Sequence, residues 1–177
     1  MKGQAGDLFL SKISGMFVEL GELDAEGNVP VVQVARRLAD SLDVERVTRE
    51  QVRSTFREEL RDLLERIIPA ELRVSGWHHP NLARGGHYPV DWYVQAKDIP
   101  LCIFALTTKD KVKDATITLH QFEKWEVPHR TVGIFQDQQD ISRKTLARFT
   151  DVAEKNFSVL SENADRIHQY IRQAVPN

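Results

Sequence analysis

The chain has one cysteine, Cys102, which stands inside an apolar run. An internal disulfide is therefore excluded, and a reducing compartment is expected. Long hydrophobic runs are also missing. No segment approaches the roughly 18 apolar residues of a membrane span, and the apolar part of "MKGQAGDLFLSKISGMF" is too short for a secretory signal. There is little net charge. Lys and Arg number 24 against 26 Asp and Glu, a formal charge of −2, so no global basic field draws the chain to nucleic acid. Such binding would need a local patch. The usual phosphate loop is absent as well: "RGG" at 84–86 precedes a strand rather than a helix and lacks the following lysine. Neither a Gly-x-Ser-x-Gly nor an HExxH pattern occurs. What remains is an ordinary profile, 41% apolar and 28% charged, with no compositional case for disorder. A soluble cytoplasmic protein without a membrane partner is expected.

The element order follows from periodicity. Phe9, Ile13, Met16, Phe17 and Leu20 have helical spacing, and "DAEGNVP" then favours a turn. Val31, Val34, Ala35, Leu38 and Leu42 predict a second helix. Thr48 with Gln51 forms a capping box for a third, with a buried stripe at Val52, Phe56, Leu60, Leu63, Leu64 and Ile67. The middle of the chain is different. "ELRVSGW" alternates as a half-buried strand with Leu72, Val74 and Gly76 on one side. "HYPVDWYVQ" is aromatic and β-branched, and "IPLCIFAL" is apolar on both faces, as in a central strand. Val112, Ala115, Leu119 and Phe122 return to helical spacing over 109–125, and "RTVGIF" at 130–135 reads as a fourth strand. Asp140 or Ser142 suits the cap of a helix with Ile141, Leu146, Phe149 and Val152; a last helix carries Leu160, Ala164, Ile167, Ile171 and Ala174. The expectation is an α/β fold: a mixed four-stranded sheet flanked by helices in the order αβββαβ. A helical extension over 1–47 precedes it, with the α/β domain and its C-terminal helices over 48–177, the whole as one compact unit.

One stretch raises a chemical question. "PVDWYVQAKDIPLCIFAL" places Asp91 in the second strand, opposite a third strand with neither carboxylate nor amine from Ile99 to Leu106. This order of elements, with "PVD" and "IPLCIFAL", resembles the restriction-endonuclease-like, PD-(D/E)xK, superfamily over about residues 48–136. The run "HPNLARGGHYPVDWYV" is also similar to an uncharacterised family of bacterial and phage proteins. The superfamily resemblance implies that an aspartate, a third-strand acid and a lysine two residues later would hold Mg²⁺ and activate water at a phosphodiester. Here Phe104 and Leu106 take the acid and lysine positions. No cofactor is therefore expected. The expected function is non-catalytic: binding of a protein or nucleic-acid partner, with phage–host conflict as the setting the resemblance implies.

Two alternatives stand beside it. A Mg²⁺-dependent nuclease would need relocated groups around Asp91, the candidates being Glu58 and Glu59 on the preceding helix and, from "KDKVKD", Lys109, Asp110, Lys111, Lys113 and Asp114. A structural homo-oligomer would pair the apolar faces of the helix from Leu160 to Ala174. For nucleic acid, the candidate residues are Arg49, Arg53, Arg57 and Arg61, a ridge at four-residue steps, with the short turn before them spaced as in a helix-turn-helix. Its competing reading is a solvated helix with Glu45–Arg49, Arg61–Glu65 and Asp62–Arg66 pairs. His78, His79 and His87 lie near Asp91. In an extended strand His87 and Asp91 share a side, a weak zinc signal against a plain loop whose glycines allow positive φ. For Asp91 itself the simpler reading is a buried acid accepting backbone or Tyr/Trp hydrogen bonds.

Overall fold

A computed structural model describes residues 31–82, 84–139 and 141–176, with side chains from residue 41 onward. The readings for 7–23, for the turn at 27–30 and for Asp140 lie outside the described residues. The chain divides into two compact units, Met1–Glu50 and Gln51–Asn177.

The first helix, α1, runs unbroken from Val31 to Ile67, where the sequence suggested two helices and a capped turn. Residues 43–47 contain no glycine or proline to stop it. The Thr48 hydroxyl donates to the Val44 carbonyl at 2.8 Å, an intrahelical bond rather than a cap. Without a turn the helix-turn-helix reading fails. In the first unit, Leu42 is 60% exposed. In the second, the expected stripe is buried at Phe56, Leu60, Leu64 and Ile67, while Val52 is 50% exposed because it precedes the part of α1 that meets the sheet.

The second unit holds a five-stranded mixed sheet in the order β1 (Arg73–Trp77), β2 (Val90–Val94), β3 (Leu101–Leu106), β4 (Arg130–Phe135), β5 (Lys155–Phe157). The first two pairings are antiparallel and the last two parallel. Crossovers pass through α2 (Lys109–Lys124) and α3 (Arg143–Thr150), and α4 (Leu160–Ala174) follows. The fifth strand adds to the four expected; with one buried residue in three, "KNF" carries no alternation to detect.

β3 decides the architecture. All six of its residues are buried, and they alternate between two cores. Leu101, Ile103 and Ala105 pack with α1 and α4; Cys102, Phe104 and Leu106 pack with α2 and α3. The sheet is thus covered on both faces. Burial pushes the Cys102 thiol up to about 12, so it is not a thiolate at neutral pH. Helix boundaries follow local chemistry: Thr108 caps α2 by accepting from the Lys111 N–H at 3.1 Å, and Ser142 caps α3. The edge strand β1 differs from its reading, since Val74 is 51% exposed and Trp77 carries the packing. The apolar side of α4 that a second copy was to cover is buried in its own core at Leu160, Ile167 and Ile171.

A polar clamp ties α4 to the sheet. Arg130 donates to Glu154 from Nε and Nη2 at 2.8–3.1 Å, and Nη2 also donates to the Tyr170 hydroxyl at 2.7 Å. That hydroxyl donates to Glu154 Oε1 at 3.1 Å. The Arg130 hydrogen bonds hold the Glu154 carboxyl below its ordinary value. A depressed carboxyl stabilises the fold above its unfolded value and loses that contribution as pH falls through the folded one. Glu154→Gln should therefore unfold more easily than wild type at pH 7, by about 1 kcal/mol or less since the pair is half exposed. The gap should close in denaturant titrations only once pH has fallen below the folded carboxyl's depressed value, itself under the ordinary glutamate value of about 4.3. A difference that persists there would assign the effect to something other than charge.

Candidate functional site

Asp91 does not stand alone. The β2–β3 pairing ends at Trp92↔Ile103, and beyond that point the Asp91 side chain replaces the missing ladder partner. Its Oδ2 accepts the Ala105 N–H at 2.8 Å. Its Oδ1 meets Lys111 Nζ at 2.9 Å. The backbone half of the simpler reading is present, but the second partner is a lysine and not a Tyr or Trp. Lys111 reaches Asp91 because the Thr108 cap sets the first turn of α2. That phase puts Lys111 one helical turn before the buried Ala115.

The pair sits in a cleft of about 460 Å³ that also takes in Arg57, Glu58 and Arg61 from α1 and the backbone of Gly76. Gly76 lies between Ser75↔Trp92 and Trp77↔Val90 in the β1–β2 pairing, hence across from Asp91. With φ of 62° and no side chain, it leaves the space over the aspartate open. Ser54 donates to Glu58 at 3.3 Å. Arg61 approaches only Asp62, at 3.8 Å, and Arg57 has no ion pair among the described residues. Since Lys111 already neutralises Asp91, the remaining balance is two guanidinium groups against one carboxylate. An anion with several oxygens fits that balance.

The other candidates are dispersed. Glu59, one position along the helix from Glu58, is exposed and outside the cleft lining. Asp110 and Lys113 are exposed and bond each other at 2.6 Å, which holds the Asp110 carboxyl below its usual range. Arg53 is half-buried and does not line the cleft, and Arg49 belongs to the first unit. The expected Arg61–Glu65 and Asp62–Arg66 pairs give way to other contacts. Arg73 of the edge strand reaches Glu65 at 3.7 Å and also donates to the Ile68 carbonyl, while Arg66 donates to the Asp62 carbonyl at 3.2 Å.

His87 does not share a strand with Asp91. It lies in a short 3₁₀ turn, Gly85–His87, because β2 begins only at Val90 and the extended spacing does not apply. His79 packs edge-on against Trp77, and its Nδ1 accepts the Asn81 N–H at 3.3 Å. Among the described residues, no three of His, Cys, Asp and Glu are grouped to hold a metal ion. In that loop the positive φ falls on Arg84, at 65°, while Gly85 serves close approach: a Cβ there would meet the His79 carbonyl oxygen at 2.3 Å. Among the described residues no helix is long and apolar enough to cross a membrane. No protein-family model, curated protein or solved structure matches the chain.

Proposed function

We propose that this is a catalytically silent relative of the restriction-endonuclease-like proteins that binds nucleic acid through the Arg57–Arg61 cleft. The observation that carries this reading is how Asp91 is engaged. One oxygen is spent on Lys111 and the other on a backbone N–H, while two arginines line the same cleft. A carboxylate in that state serves to place a lysine and seal the sheet end. Phosphate oxygens then find the guanidinium groups. The element order supports the kinship: a helix, three strands, a crossover helix and a parallel fourth strand follow one another, with Asp91 in the second strand.

A second reading, a Mg²⁺-dependent nuclease, draws on Glu58 lining the same cleft as Asp91 and Lys111. The lining does not favour the ion, because Lys111, Arg57 and Arg61 set three cationic groups against the two carboxylates of Asp91 and Glu58, a balance that repels a divalent cation. The two readings separate in one assay. Purified protein incubated with plasmid and single-stranded DNA in excess Mg²⁺ or Mn²⁺ is expected to leave both intact. Cleavage that disappears in Asp91→Ala would overturn the silent reading and favour the nuclease.

A further inference from the structure

We infer that a second cleft, reached past Lys111, receives an unpaired base of the same strand whose phosphates lie on Arg57 and Arg61. The inference rests on the proposed nucleic-acid reading of the first cleft and extends it to a substrate class, single-stranded polynucleotide.

Lys111 is a wall of both clefts. The second has a volume of about 400 Å³ and opens on the other face of the sheet end, where Phe104 replaces Ala105 as the β3 contribution. Its chemistry is different. It contains no arginine, and its one cation, Lys111, is committed to Asp91. Asp114 adds a negative charge. Such a lining disfavours a phosphate and suits an uncharged ring with donors and acceptors on its edge.

The apolar part of the lining includes Tyr88 and Ile117. Ile117 is 56% exposed, between the buried Thr116 and Thr118 of α2, so the core of the protein does not use it. An isoleucine left in water at the mouth of a cleft gains from covering by a flat apolar face, and a nucleobase offers one. His87 and Thr118 stand in the same lining with polar atoms for the base edge. A duplex would first have to unpair and extrude a base, a cost that a single strand avoids, which is why the occupant is an unpaired base.

The test compares octathymidylate with an octamer of the same backbone lacking bases, by fluorescence anisotropy in low salt. Wild type should bind the base-bearing strand about tenfold more tightly, the scale of one base contact. Ile117→Ser and His87→Ala, both at exposed positions, should each reduce that preference and leave the affinity for the abasic strand unchanged. Equal affinity of wild type for the two octamers, both weakened by Arg57→Glu, would overturn the second cleft and spare the first. A base preference that survives both variants would also overturn it. Failure of both octamers to bind would remove the nucleic-acid reading itself.

Discussion

The double variant Arg57→Glu, Arg61→Glu is expected to bind a single-stranded oligonucleotide about a hundredfold more weakly than wild type in low salt. Both positions are exposed on α1 and contribute nothing to its buried stripe, so the fold should survive the change. The salt dependence is the more telling measurement. Each cation that neutralises a phosphate adds about 0.7 to the slope of log affinity against log salt for single strands, so losing two should flatten it by about 1.4. Lys113→Glu provides the control: it reverses a charge on an exposed residue outside the cleft and should leave the slope nearly unchanged. Wild-type affinity and slope in the double variant would place any binding elsewhere.

Gly133→Ala should destabilise the fold markedly. Gly133 sits in the middle of β4 on the face toward α3, and a Cβ there would lie 2.5 Å from Phe149 Cε1 and 2.8 Å from Asn156 Oδ1. Phe149 is fully buried, and Asn156 Oδ1 is itself buried without a hydrogen-bond partner in the described structure. Neither neighbour has open space to retreat into. Backbone freedom is not the issue, since among the described glycines only Gly76 has positive φ. The cost is overpacking, about 1–3 kcal/mol, read as a fall of several degrees in the thermal midpoint. Gly86→Ala, which would meet nothing within 4 Å, should be nearly neutral by the same assay. If the two variants melt together, the close packing of β4 on Phe149 is not what holds that face.

These contacts mark the limit of what could be read before the structure. "IPLCIFAL" announced a two-sided central strand because every position is apolar, and the 109–124 helix and 130–135 strand emerged close to their boundaries for the same reason: local periodicity was unopposed. Where the fold departed, local signals were weak or misleading. Thr48 and Gln51 satisfy a capping pattern, yet the preceding residues have no breaker and the helix simply continues. Three residues of β5 are too few to show a period. The Asp91–Lys111 pair joins residues twenty positions apart, through the seating of a helix on a sheet, which no window reports. A usable clue existed, however. With Thr108 as cap, Lys111 falls on the same helical face as Ala115, Thr118 and Phe122, all buried, so it alone among the lysines of "KDKVKD" faces inward. Arg57 and Arg61 were legible as a ridge; which members of it border Asp91 was not.

The cover of one sheet face has a consequence for how the protein is made. Leu101, Ile103, Val132 and Ile134 are sheltered jointly by the last part of α1, synthesised before any strand, and by α4, synthesised after all of them. A nascent chain therefore carries an unsealed apolar surface until Leu160–Ala174 has left the ribosome, and the 51–177 unit cannot close before then. Chains stopped before residue 160 are expected to leave that face open and to aggregate on expression.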